Sequence, residues 1–242
     1  MSRGRISAGW IALRLSLLLG PFLVILLNWP VISLRLREVI VVTSALLVVT
    51  TLVAAWRWKW GFGGLVAVYG LVGGFLLLPG GPVDAGVLEN TYAARLVAYR
   101  GVPYVWGGEG GWGIDCSGLV RRAMEDSLVL TGLRTGNPRA IREGVGLWWD
   151  DATAKEMGRG YAGRMKEVTT CESLNGLAEP PLRPGDVAVT KSGGHVMAYV
   201  GNHVWAGADP SEQKVTLFTT PGEKNAYFLE PMNIMRWIVL EK

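Results

Sequence analysis

Asp115-Cys-Ser-Gly-Leu-Val-Arg-Arg-Ala-Met-Glu-Asp-Ser-Leu128 is the stretch whose reading decides the fold, because it begins a helix with a cysteine in its first turn. Leu119, Val120, Ala123, Met124 and Leu128 recur at three- and four-residue spacing and mark one face, with Arg121, Arg122, Glu125 and Asp126 on the other. Asp115 stands where a carboxylate caps the first unpaired N–H groups of a helix. Upstream, 107–113 is a glycine-rich loop, Gly101-Val-Pro-Tyr104 is a break, and 85–99 reads as a helix with Leu88, Tyr92, Leu96 and Tyr99 in register. Downstream, Asn137-Pro138 is a cap with proline at the first helical position, opening a helix expected to run to about residue 157. Arg183-Pro-Gly-Asp186 is a turn, and strand-like runs follow at 187–190, 195–200, 203–208, 215–219 and 234–240. Gly193-Gly194 and Gly201-Asn202 are turns that suit antiparallel pairing. Helices first and a sheet afterwards predict an α+β domain.

Ahead of residue 84 the composition changes. The chain carries 24 Lys/Arg and 20 Asp/Glu, yet residues 1–83 hold seven of the basic ones and a single acid, Glu38. Apolar stretches at about 10–27, 39–56 and 61–79 each approach the ~20 residues needed to cross a bilayer. Arg14, the one charge within them, is close enough to an end to snorkel. Trp10, Trp29, Trp56, Trp58 and Trp60 fall at span ends, where indoles prefer the headgroup region. Residues 1–83 are therefore expected to form a membrane anchor of three transmembrane helices in contact with lipid, and 84–242 a soluble domain. With the N-terminus inside, Arg3, Arg5, Arg14, Arg57 and Lys59 face the cytoplasm, while Arg35 and Arg37, partly offset by Glu38, face out. Three spans then put 84–242 outside the cytoplasmic membrane. Acids slightly outnumber bases in that domain, so nucleic acid is not an expected partner.

A thiolate nucleophile needs an acid–base partner, and the chain has two cysteines and two histidines: Cys116 and Cys171, His195 and His203. At a helix start, unpaired N–H groups and the macrodipole favour an anion, which lowers a thiol's pKa. The same donors can hold an oxyanion, worth ~3 kcal/mol each where measured. His195 follows Gly193-Gly194 and opens a strand on which it shares a face with Met197 and Tyr199; His203 lies in or beside a turn. Taken alone, a cysteine at a helix start is more often a packed residue than a nucleophile. Gly108-Glu-Gly110-Gly-Trp-Gly113 fits a dinucleotide-binding pattern but has no βαβ unit around it, so no cofactor is expected. No cysteine or histidine cluster has metal-ligand spacing.

Four motifs in order change the weighting: Pro103-Tyr-Val-Trp-Gly-Gly108, Asp115-Cys-Ser-Gly-Leu-Val120, Pro184-Gly-Asp186 and Gly194-His-Val-Met-Ala-Tyr-Val-Gly-Asn202. Together they resemble the NlpC/P60 family of papain-like cell-wall peptidases, over roughly 85–240. The resemblance implies a Cys–His hydrolase of amide bonds, commonly in peptidoglycan stem peptides, with Cys116 as nucleophile and His195 as acid–base. It also implies Tyr104 beside the nucleophile, where its hydroxyl can serve an oxyanion or substrate, or simply pack. Asp115 and Ser117 match positions that in some members bind the free amino end of a stem peptide, and Asp115 is equally read as a helix cap. The family usually has a polar third residue on the strand after the histidine strand. That position falls at Gly207, and Asp209, two residues on and on the same face, is the candidate substitute. The segment at about 129–181 is an insert relative to the shortest members; its Leu147-Trp-Trp-Asp150 either walls a groove or packs on the surface, and Cys171 within it is a bystander thiol. Three functions remain open: an anchored wall hydrolase facing the cell wall of a bacterium, a Cys–His hydrolase or acyltransferase for another amide or ester, and an impaired wall-binding module.

Overall fold

The computed structural model describes residues 8–177 and 182–241, and the chain divides between Leu78 and Pro79 into two compact units. In the first, apolar length produces helices Ala8–Leu27 (α1), Leu34–Ala55 (α2) and Lys59–Leu77 (α3), each long and apolar enough to cross a membrane. Helix α2 starts earlier than expected and takes in Arg35, Arg37 and Glu38, because Ser33 caps it by accepting from the Leu36 N–H. Hydroxyls tie the helices together: Ser16 Oγ donates to Thr50 Oγ1 at 2.9 Å, and Thr51 Oγ1 pairs with the Tyr69 hydroxyl at 3.1 Å. Trp10, Trp29, Trp56, Trp58 and Trp60 are all exposed. Arg3 and Arg5 lie outside the described residues.

In the second unit, helix Ala85–Ala98 (α4) is capped by Asp84 and buries Leu88, Tyr92 and Leu96. A two-residue pair of strands, Glu109–Gly110 (β1) and Gly113–Ile114 (β2), leads into helix Cys116–Thr135 (α5), which ends on Gly136 with φ 63°. Leu119, Val120, Ala123, Met124 and Leu128 are buried as their spacing predicts. Arg121, expected on the polar face, is buried as well. Glu109 at 2.6 Å and Asp151 at 2.9 Å close over its guanidinium, and the Asp150 carbonyl accepts from it at 3.1 Å.

Helix Pro138–Trp149 (α6) begins as expected, with the Asn137 side chain accepting from the Arg139 N–H, but does not continue to residue 157. The carbonyl of Asp150 is taken by Arg121 and the Tyr161 hydroxyl, and its carboxylate by Arg164, which turns the chain out of the helix. Thr153 and Glu156 then form a capping box that starts the short helix Ala154–Met157 (α7).

Strands Met165–Cys171 (β3), Val187–Thr190 (β4), Val196–Gly201 (β5), Val204–Asp209 (β6), Lys214–Thr219 (β7) and Met232–Trp237 (β8) form one antiparallel sheet in the order β3-β8-β4-β5-β6-β7. Strand β3 arises inside the segment read as an insert and completes the sheet against β8. Helices α4 and α5 cover one face through Val187, Val189, Val196 and Ala198; Ala188, Met197, Trp205 and Ile234 point into a second apolar cluster on the other. The fold is thus α+β, with helices packed on an antiparallel sheet, after three apolar helices.

The Pro184-Gly-Asp186 turn is tied into this sheet by charge. Asp186 is buried and takes both Nε and Nη2 of Arg236 on β8 at 2.7 Å each, while accepting the Arg183 N–H at 2.8 Å. Removing one partner of such a pair strands the other charge in the interior. Asp186→Ala is expected to lower stability by ~3–5 kcal/mol, read as a drop in the unfolding midpoint of the detergent-solubilised chain.

Candidate active site

Cys116 is the first residue of α5 and is buried, lining a cleft of about 200 Å³ with Trp106, Asp115, Ser117, Gly193 and Asp151. The Gly-rich loop sets it there. Asp115 donates its N–H to the Gly108 carbonyl at 3.0 Å, and its carboxylate accepts from the N–H of Gly118 at 2.6 Å and of Gly107 at 2.8 Å. Ser117 Oγ also donates to that carboxylate, at 2.9 Å. Asp115 is therefore the cap of α5 and a clamp on the loop, with both carboxylate oxygens engaged. Tyr104 is held beside β2 and β7: its N–H donates to the Gln213 carbonyl at 2.9 Å, and it bridges to Ile114. Burial and the neighbouring Cys116 and Asp115 raise its phenol above the ordinary range.

His195 stands immediately before β5 and is buried. Thr190 Oγ1, at the end of β4, fixes its backbone by accepting the N–H groups of both Gly194 and His195 at 3.0 Å. The Thr190 N–H donates to the His195 carbonyl at 3.1 Å. The imidazole is stacked on one face: Tyr227 lies parallel to it, with ring centroids 3.9 Å apart and planes 10° from parallel. Its Nε2 is buried and makes no hydrogen bond. The residue facing that nitrogen is Gly207, where a Cβ would sit 3.9 Å from Nε2.

Asp209 is buried at the end of β6, on the same face, but does not bond to the ring. Its oxygens accept from the N–H groups of Ser211 and Glu212, the Ser211 hydroxyl and the Asn225 amide. Its influence on His195 is through charge.

The titration state differs from the expectation of a helix-activated thiolate. Burial, with the charge of Asp115, pushes the Cys116 thiol up to about 12. The N–H groups of Val196, Ser117 and Cys116 pull the other way and are outweighed. Burial likewise draws the His195 imidazole down to about 4, against the opposing charge of Asp209. At neutral pH burial thus favours the uncharged forms of both the thiol and the imidazole.

Other residues singled out by sequence fall outside the cleft. Trp148 and Trp149 pack against each other at 6.1 Å and do not line it. Cys171 is a free thiol on β3, and Cys116 is also free. His203 occupies a turn with φ 61°. A larger cavity, about 420 Å³ between α6 and the end of β8, contains no nucleophile. Sequence reasoning missed Tyr227, Asn225, Thr190 and the Arg121–Glu109 pair; none of them carries a pattern that a one-dimensional reading detects.

A cysteine at a capped helix start, with the backbone of the residue after a buried histidine set against its sulfur, defines the class of site, and comparison with known proteins names the family. The sequence model of the NlpC/P60 family matches residues 101–225, more than half of the chain, and the chain belongs to that family, whose members are generally cysteine peptidases and amidases. Among solved structures it is similar to NlpC1 of Trichomonas vaginalis, at 20% identity over 64% of this chain and 45% of that one, with a TM-score of 0.42. NlpC2 of the same organism gives 22%, 64%, 48% and 0.40. The peptidoglycan hydrolase RipB of Mycobacterium tuberculosis gives 23%, 67%, 76% and 0.38. The chain spans just under half the length of the two Trichomonas structures. A comparison with curated proteins finds no match.

With two histidines in the chain, the titration state is directly measurable. In histidine-labelled protein, the His195 ring is expected to protonate near pH 4, staying neutral at every higher pH. Because the Asp209 charge favours the protonated ring, Asp209→Asn is expected to move that midpoint lower still.

Proposed function

We propose that the chain is a membrane-anchored cysteine hydrolase that cleaves amide bonds in peptidoglycan stem peptides, with Cys116 as nucleophile and His195 as general base and then acid. The observation that carries this reading is the convergence of the Cys116, Ser117 and Val196 N–H groups on the thiol at the capped end of α5, Val196 being the residue that follows the buried His195. Nε2 faces Gly207, which leaves Nδ1 to take the thiol proton as Sγ attacks the carbonyl carbon. The N–H donors then stabilise the oxyanion. The imidazolium returns its proton to the departing amine, leaving a thioester. Water attacks the thioester while His195 accepts its proton, and the free thiol and acid are regenerated. A neutral resting pair suits this sequence, since the proton moves with the attack. Tyr104, Asp115 and Ser117 border the reacting sulfur, Asp115 acting as the cap that aims it. Asp209 steadies the transient imidazolium by its charge.

The anchor supports a wall substrate. With α1–α3 spanning the membrane and the N-terminus inside, Arg14, Arg57 and Lys59 lie at the cytoplasmic side, and the hydrolase unit lies outside the cytoplasmic membrane. Residues 1–83 then form the anchor and 84–242 the catalytic domain. Protease added to intact cells is expected to remove the domain and leave the anchor; full protection would reverse the topology and count against a wall substrate.

A second reading draws on Gly207, which offers Nε2 nothing to bond: a wall-binding module without turnover. Full-length chain and its Cys116→Ala variant, incubated with purified peptidoglycan and analysed by mass spectrometry, separate the two. Released peptides that fall by about 10³-fold or more in the variant support the hydrolase, and their masses name the bond. Binding to the wall without release supports the module.

A further inference from the structure

His195 lacks the hydrogen bond that would hold its ring. Nε2 is buried without a partner, and the backbone position opposite it is Gly207. Asp209, the nearest carboxylate along that strand face, spends its oxygens on Ser211, Glu212 and Asn225. An imidazole with no polar partner on Nε2 is free to rotate about its side-chain bonds unless something packs against it, and rotation would carry away the nitrogen to which the hydrolase reading gives the thiol proton.

What packs against it is Tyr227. Its ring lies parallel to the imidazole at 3.9 Å, and it is half-buried, so that it also screens the ring from water. The tyrosine is itself held firmly. It belongs to a single helical turn, Ala226–Leu229, whose cap is Asn225: the Asn225 carbonyl oxygen accepts from the Tyr227 N–H at 3.1 Å, and its amide donates to Asp209. On the far side Phe228 is fully buried, with its ring 5.2 Å from that of Phe218 and its carbonyl accepting from the Leu174 N–H at 3.1 Å. Asp209, Asn225 and Tyr227 thus form a chain that ends on the face of the imidazole.

We infer that Tyr227 is the positioning residue of His195, fixing the ring by stacking in the place where a polar third residue would fix it by hydrogen bonding, with Asp209 acting through Asn225 to hold the tyrosine. The inference rests on the Cys116–His195 hydrolase reading. Tyr227 lies just beyond the segment 101–225 matched by the family. The stack gives Asp209 a mechanical role besides its charge, and it explains how Gly207 is tolerated.

The geometry supplies its own rescue. A Cβ at Gly207 would make only ordinary contacts, 3.5 Å to Met197 and to Phe218, so a serine fits. Its hydroxyl, one bond beyond that Cβ, comes within reach of Nε2. Full-length Tyr227→Phe, Tyr227→Ala, Gly207→Ser and the Tyr227→Ala/Gly207→Ser double variant would be assayed in detergent on purified peptidoglycan. Tyr227→Phe is expected to stay within about two-fold of the parent, since it keeps the stack. Tyr227→Ala is expected to lose about 10- to 100-fold in kcat with little change in KM, because the ring is misplaced and the cleft is not. Gly207→Ser should change the parent little and restore most of the loss in the Tyr227→Ala background. Tyr227→Ala with parental kcat, or a loss that Gly207→Ser does not recover, overturns the inference.

The His195 ring resonances provide a readout that needs no turnover. In the parent and Tyr227→Phe they should carry the upfield shift of a stacked ring, and Tyr227→Ala should remove it. If the parent releases nothing from the wall, the hydrolase reading falls while these resonances still decide the positioning: loss of the shift in Tyr227→Ala alone upholds it, and identical spectra overturn it.

Discussion

A Cβ placed on Gly118 would come within 2.1 Å of the Gly108 carbonyl, so the first turn of α5 and the glycine-rich loop meet backbone to backbone. No side chain separates them, and only glycine permits that approach. The rest of the candidate site hangs on this contact. It lets the Asp115 N–H reach the Gly108 carbonyl and lets one carboxylate clamp Gly107 and Gly118 together. The loop so held leads back to Tyr104 against β2 and β7, and forward to Cys116 at the point where helix N–H groups converge. The Asp-Cys-Ser-Gly signature is therefore one mechanical unit: aspartate to cap and clamp, cysteine set where the helix N–H groups converge, serine to complete the bonding of the cap, and glycine to allow the approach.

Two opposing demands meet at the sulfur. Donors aimed at it favour the anion, while the buried setting and the Asp115 charge favour the thiol, and the second pair prevails. The same burial keeps His195 a free base. On the proposed hydrolase reading, a pair balanced in this way stores no charge separation before reaction, and the N–H groups are left to act when negative charge develops on the substrate oxygen. The orienting burden then falls on packing. Thr190 pins the histidine backbone, Tyr227 covers the ring, and neither depends on a charge at the ring's edge.

Much of this was legible in sequence, for reasons that differ by element. Apolar length exposed α1–α3, though the start of α2 was hidden because Arg35, Arg37 and Glu38 look like a break and are in fact helical under the Ser33 cap. Periodicity exposed α4, α5 and the strands from β4 onward. Strand β3 escaped because Met-Lys-Glu-Val-Thr-Thr-Cys is largely exposed and owes its conformation to pairing with β8, far along the chain. The end of α6 escaped because it is set by where Arg121, Tyr161 and Arg164 find oxygens on Asp150. At the site, Cys116 and His195 announced themselves by motif, and Gly207 by its absence of a side chain. The thiol's titration and the Tyr227 stack are products of burial, which no local pattern records.

The strand order has a consequence for how the domain is made. Strand β8 is the last strand among the described residues, yet it lies inside the sheet, between β3 and β4, and carries the arginine that neutralises Asp186. Until residues 232–237 arrive, β3 has no neighbour and a buried carboxylate has no counter-ion. Helices α4 and α5 and the β4–β7 meander can assemble as the chain is synthesised, but the sheet closes only when the final strand slots in from the C-terminal side. Residues 232–237 thus act as the keystone of the sheet, supplying in one stretch the partner of an edge strand and the counter-charge of a buried acid.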